Sequence, residues 1–316
     1  MVKSVMMKTL NKLFVLALVL CCSFVIASCD KEENLSFDSE AMGLGGETIE
    51  ANELDEWLYD NFVVPYNIAV KYRWDLFDND YNAVLIPPDE ENVFNLMSAF
   101  KKAWAEPLVA AGGETFFKKL SPKSISLIGS MRYVSAGAAL LGTAEGGIKI
   151  TLLGIEDFDP SSRSSLEYHL HTMFHEFGHI MHQTIMYPTE FMYITPGVYT
   201  ANWSGVSVEQ TKKDGCISQY AHNNSGDEFV EMLSYIIVYG KEWFDDYVAE
   251  CSAIYANPAK NAGMTYDPGL KLREKEDILV TYLKDVWGVD LYDPAPNVKG
   301  LVTMVQEAID EFVSNN

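Results

Sequence analysis

His169-Leu170-His171-Thr172-Met173-Phe174-His175-Glu176-Phe177-Gly178-His179-Ile180-Met181-His182 puts five of the chain's six histidines within 14 residues. The stretch reads as helix. Ser164 followed by Glu167 has the spacing of a capping box, and no proline intervenes before Pro188, so the helix is expected to run from there to about Ile185. At 3.6 residues per turn and with His175 at zero, His179 lies at about 40°, His171 at about −40° and His182 at about −20°. Four imidazoles therefore share one face.

Within that face, His175-Glu176-Phe177-Gly178-His179 spells HExxH. Two histidines at i and i+4 can hold one Zn²⁺ from the same side, while the intervening Glu can take a proton from a water held at the metal. Gly178 in mid-helix costs about 1 kcal/mol relative to Ala, a cost explained if a backbone or a substrate must come close there. His171 and His182 read as neighbours on the helix face, packing or orienting the pair, with a ligand role for either as the lesser alternative.

A zinc peptidase site needs a third protein ligand. The remaining histidine, His222, is one source, but the acids in Asp227-Glu228-Phe229-Val230-Glu231 are better placed. On a helix from about Gly226 to Val238, ending at Gly240, Glu231 lies at about 40° from Asp227 and Glu228 at about 100°. Phe229, Met232, Leu233, Ile236 and Ile237 fill the opposite arc, so Asp227 and Glu231 face away from the apolar stripe, as a ligand and its orienting partner should.

Residues 49–316 read as one domain. Asn52–Phe62 reads as a short amphipathic helix ended by Pro65, and Ile68, Val70, Tyr72 and Trp74 alternate as in a strand, followed by an acidic loop at Asp75–Asn82. Val93, Leu96, Met97, Phe100 and Trp104 recur at helical spacing, which predicts a helix over Glu90–Ala105 that stops before Pro107. Ile125–Ile128 and Ile148–Leu153 read as strands, the second preceded by a Gly-rich turn, Gly142–Gly147, with hairpin rather than phosphate-binding character. Further helices are expected near 241–254, 270–287 and 297–313. The expected class is α+β, a small sheet lobe beside a mostly helical lobe.

The chain has 316 residues and a formal charge of −22. A phosphate-backbone partner would be repelled, so no nucleic-acid partner is expected. Residues 1–28 carry Lys3, Lys8, Lys12 and no acid, then an apolar run from Leu13 to Ile26, which is the layout of a secretory signal. It ends in Ile26-Ala27-Ser28-Cys29, similar to a bacterial lipobox, in which the chain is cut before Cys29 and that thiol is lipidated. Asp30-Lys31-Glu32-Glu33 follows, similar to the acidic tether of surface-exposed lipoproteins. We therefore expect 1–28 as signal peptide, 29–48 as flexible tether, and an outer-membrane location facing outward, with periplasmic placement as the alternative. Loss of three lysines and no acid takes the charge to −25. Cys216 and Cys251 remain, and pairing between them is left open.

These segments together resemble the zinc-binding metallopeptidase lipoproteins of Bacteroidota over nearly the whole mature chain. The resemblance is carried by LDEWLYDNFVVPYNIAVKYRWD (54–75), LGTAEGGIKITL (141–152), HEFGHIMHQ (175–183) with YPTEF (187–191), and QYAHNNSGDEFVEMLS (219–234). More distantly, Tyr220 through Glu231 is similar to the catalytic domain of anthrax lethal factor. The resemblance implies a zincin-like, gluzincin-like fold with HExxH on a central helix and one Zn²⁺. It implies His175 and His179 as ligands, Glu176 as general base, Tyr220 as transition-state donor and position 227 as third ligand, with Glu231 orienting a histidine. The relatives usually read Glu-Asp-Phe-x-Glu where this chain reads Asp-Glu-Phe-Val-Glu. Register thus selects Asp227, side-chain reach favours Glu231, as in thimet-oligopeptidase-type enzymes that use the Glu of Phe-Val-Glu, and Glu228 is the third option. The expected partners are a peptide or protein substrate and, through Cys29, the membrane. The rival expectation is a weakly active or inactive binding lipoprotein serving a surface nutrient-uptake assembly.

Overall fold

Asn52 opens the first helix, α1 (Glu53–Leu58), through a capping box in which its side chain accepts from the Asp55 backbone and the Asp55 carboxylate accepts from its own. The fold is a computed structural model that describes residues 50–73, 85–133, 139–140, 142–145 and 148–316. The signal, the tether, Trp74, the acidic loop and Gly146-Gly147 lie outside the described residues.

Two prolines expected to end helices do not. After α1 the chain makes a π turn over Tyr59–Val63 and re-enters a helical turn, α2 (Val64–Tyr66), with Pro65 in its first positions; Asn67, at φ 58, ends it. Likewise α3 (Glu90–Phe100) passes through a π turn, Lys101–Ala105, into α4 (Glu106–Leu120), and Pro107 again sits in the first turn. Each widened turn restarts the helix, so the missing proline N–H falls where no intrahelical partner is required. The terminators are instead Asn67 and, within α4, a break at Gly113 (φ 84).

Strands β1 (Ala69–Lys71), β2 (Ser124–Leu127) and β6 (Lys149–Leu152) form a parallel sheet in register through Val70, Ile125 and Ile150. The α3–α4 connection supplies the crossover that a parallel pair requires. β3 (Arg132–Tyr133) pairs with β4 (Ala139–Leu140) as a separate ribbon, and β5 (Gly142–Glu145) runs antiparallel to β6. The Gly-rich stretch is thus largely a hairpin arm rather than a turn.

Helix α5 (Arg163–Thr184) carries the HEFGH stretch. Its cap is Ser162, two residues before the expected Ser164; Glu167 pairs with Arg163 instead of closing a box. Phe177 points opposite to the histidines, into a cluster with Trp104 (ring centroids 6.0 Å) and Phe117 (6.2 Å), which ties α5 to the α3–α4 lobe. After the short α6 (Val208–Asp214) comes α7 (Ser225–Ala256), which packs along α5 and leaves helical geometry at Gly240 (φ 88), where the sequence predicted a stop. The Gln306 side chain, from α9 (Leu301–Asn315), donates to the freed carbonyls of Ile237 and Val238. Between them α8 (Pro268–Trp287) backs α7. Among the described residues no helix is long and apolar enough to cross a membrane.

What comes close to Gly178 is α7. A Cβ there would lie 2.9 Å from Val230 Cγ1 and 3.1 Å from Leu233 Cδ2. Gly178→Ala gains helix propensity but forces the two helices apart, and overpacking of this kind costs about 1–3 kcal/mol. Chemical denaturation should show a net loss of stability. A variant as stable as the parent would contradict the close packing of α5 on α7.

Candidate functional site

The contact at Gly178 aligns α5 and α7 so that His171, His175, His179 and His182 face Asp227 and Glu231. Glu231 Oε1 accepts from His175 Nδ1 (2.8 Å) and from His171 Nε2 (3.0 Å), and Oε2 accepts from the Ser218 hydroxyl. Burial alone would raise the Glu231 pKa, but His171 and His175 hold it well below the usual carboxylate range. An ionised carboxylate only accepts, so His175 carries its proton on Nδ1 and turns Nε2 outward.

His179 Nε2 lies 3.1 Å from His175 Nε2 and 3.2 Å from Asp227 Oδ1, while His179 Nδ1 meets His182 Nε2 at 2.9 Å. The Asp227 carboxylate is fixed from behind: Oδ2 accepts from the side-chain amides of Asn223 and Asn224, both at 2.6 Å. Asn224 is also the cap of α7, its Oδ1 accepting from the backbone of Gly226 and Asp227. Oδ1 is thereby left to the histidine pair.

Two histidine–carboxylate groups have the proximity a metal requires, His175–His179–Asp227 and His171–His175–Glu231. Their chemistry differs. In the second, two N–H groups donate to one oxygen at hydrogen-bond distances, so the lone pairs are already used. In the first, His175 Nε2 is bare because Nδ1 holds the ring's proton, and it meets His179 Nε2 at 3.1 Å, an approach that either a proton on His179 or a shared cation satisfies. Donors about 2.0–2.2 Å from a tetrahedral ion stand about 3.3–3.6 Å apart, slightly beyond the 3.1 and 3.2 Å seen. The residues fit a metal.

Glu176 is buried beside this trio. Burial raises its pKa, His175 and His179 partly offset that, and Asp227 and Glu231 add to it, which suits a carboxylate that accepts and returns a proton. Tyr220 stands on a single 3₁₀ turn (Tyr220–His222), its ring 5.7 Å from that of His175 and edge-on to Trp203 at 4.9 Å. Burial and the nearby acids push its hydroxyl up to about 12, so it stays a donor through the neutral range.

A family model described as "Putative zinc-binding metallo-peptidase" matches residues 47–292. The chain belongs to this family. A crystal structure described as a putative zinc-binding metallo-peptidase from Bacteroides caccae ATCC 43185 is similar, with 26% identity and a TM-score of 0.64, covering 84% of this chain and 95% of that one. No curated protein matches.

Among the other residues of this zinc-binding family member weighed from sequence, Glu228 turns the opposite way. It is fully buried, paired with Lys275, and accepts from the Tyr199 hydroxyl at 2.7 Å, so it braces α7 against α8 and does not face the histidines. His222 is buried away from the trio, its Nδ1 donating to the Val198 carbonyl at 2.8 Å. Cys216 and Cys251 are free, buried thiols. Sequence reasoning missed Ser218, Asn223 and Trp203. Asn224 carried a usable signal, a capping residue just before a helix.

Metal loading has a predictable pH dependence. Burial pulls the His175 pKa down, but the hydrogen bond and charge of Glu231 outweigh it and raise it above the ordinary 6.5. A ligand must be neutral, so affinity should fall as pH drops, beginning above 6.5, by about tenfold per pH unit for each proton displaced. Titrations between about pH 8 and 5.5 check this; affinity flat across the range would contradict it.

Proposed function

We propose that this chain is a zinc-dependent peptidase anchored as a lipoprotein on the outer face of the cell. The observation that carries the reading is the pair of Nε2 atoms 3.1 Å apart, with Asp227 Oδ1 beside them and the buried Glu176 next to them. His175, His179 and Asp227 would hold one Zn²⁺ in a gluzincin-like arrangement with an Asp as third ligand. Bound there, zinc supplies Lewis-acid polarisation and lowers the pKa of a water to about 7.

The chain's own groups do the rest. Glu176 accepts the proton of the attacking water and returns it to the leaving amine. Tyr220 donates a hydrogen bond from its hydroxyl to the oxyanion and keeps its proton. Glu231 orients His175, and Asn223 with Asn224 keeps Asp227 from rotating. Cys29 carries the lipid, and several acyl chains on one N-terminus give stable anchoring where one would be marginal.

Incubation of the chain lacking residues 1–29 with a peptide library tests the enzyme reading. Cleavage that a chelator stops and zinc restores is expected. Zinc binding with no turnover would favour a binding lipoprotein of a surface nutrient-uptake assembly. The anchor is tested separately: Cys29→Ala should release the protein, and protease shaving of intact cells should cut the parent. Full protection would place it facing the periplasm.

A further inference from the structure

The helix-face pattern contains one histidine that neither the ligand set nor Glu231 accounts for. We propose that His182 is a positioning residue that sets which nitrogen of His179 is offered to the metal, an inference that rests on the zinc reading above.

The two ligating rings are oriented differently. His175 Nδ1 meets a carboxylate, which leaves it no choice of tautomer. His179 Nδ1 meets another imidazole, His182 Nε2, at 2.9 Å, and an imidazole nitrogen donates or accepts according to where its own proton sits. Only when His182 keeps its proton on Nδ1 does its Nε2 accept from His179, leaving His179 Nε2 bare toward His175 Nε2 and Asp227 Oδ1. A ligating histidine ordinarily donates its other N–H to a carboxylate, carbonyl or water. Here a third imidazole takes that place.

The ring of His182 is held for the task. It packs edge-on against Tyr187 (5.6 Å) and Phe229 (6.4 Å), and it lies against the first turn of α7 at Gly226, where a Cβ would come 3.5 Å from His182 Cε1. That turn begins the helix carrying Asp227. His182 thus orients one ligand while packing beside the backbone that presents another. It lies three residues after His179 on the same helix, so its reach is fixed by helical geometry and not by a mobile loop.

The test compares zinc affinity, by competition with a chromophoric chelator, in the parent, His182→Phe and His182→Gln. Phenylalanine fills the same aromatic pocket but accepts nothing; the Gln side-chain oxygen comes close to the position of Nε2 and accepts. Affinity should fall about 10- to 100-fold in His182→Phe and return to within a few-fold of the parent in His182→Gln. Nitrogen-15 spectra of the zinc-loaded proteins should show His179 protonated on Nδ1, its proton resonance moving upfield in His182→Phe and back in His182→Gln. Parent-like affinity in His182→Phe overturns the proposal while the zinc site stands. Loss of binding in both variants, with unchanged melting temperatures, overturns it in favour of His182 as a ligand. A parent that binds no zinc overturns the zinc reading itself.

Discussion

Replacing Glu176 with alanine should leave about one zinc per chain and lower peptide hydrolysis by about 10²- to 10⁴-fold, the loss expected for a general base. The two effects separate because Glu176 belongs to neither histidine–carboxylate group; it lies beside His175 and His179, buried, with a raised pKa. On the proposed mechanism its removal would take away the proton acceptor and leave His175, His179 and Asp227 in place. Glu176→Gln keeps the volume and should lose as much activity. Atomic absorption and a fluorogenic peptide assay on one preparation check both halves. A zinc-replete Glu176→Ala protein that still cleaves would sink the assigned mechanism.

The second large effect falls on the third ligand. Asp227→Ala should weaken zinc binding by well over 100-fold, whereas Glu231→Ala should cost about 10- to 100-fold, the range for a group that orients a ligand. Glu231 spends both oxygens on His171, His175 and Ser218, while Asp227 keeps Oδ1 free because Asn223 and Asn224 hold Oδ2. The shorter reach of Asp, which favoured Glu231 on side-chain length, is offset by the close approach of α7 at Gly178, where Val230 would touch a Cβ. Zinc titrations of the two variants decide between them; abolition by Glu231→Ala with little change in Asp227→Ala would reverse the assignment.

How much of this was legible in the chain follows from which interactions are local. The shared face of His171, His175, His179 and His182 depends only on helical period, and the structure keeps it. The same holds for Asp227 and Glu231 turning away from the apolar stripe of α7. The choice between those acids depends on how α5 and α7 are aligned and on Asn223 and Asn224, and no periodicity encodes that. Pro65 and Pro107 misled because a π turn just upstream of each restarts the helix, so a breaker became a first-turn residue. Ser164 looked like a cap by spacing, but Ser162 begins the helix and Arg163 takes Glu167. Glu228, at the edge of the apolar stripe, stayed an option because nothing local shows its partner, Lys275, which is 47 residues away in sequence.

Anomalous diffraction from crystals of the zinc-loaded chain locates the ion itself. One peak is expected, within bonding distance of His175 Nε2, His179 Nε2 and Asp227 Oδ1, with the Glu231 carboxylate still on His175 Nδ1. A peak bound instead by His171 and Glu231, or no peak at HEFGH in zinc-saturated crystals, would rule out zinc on His175, His179 and Asp227.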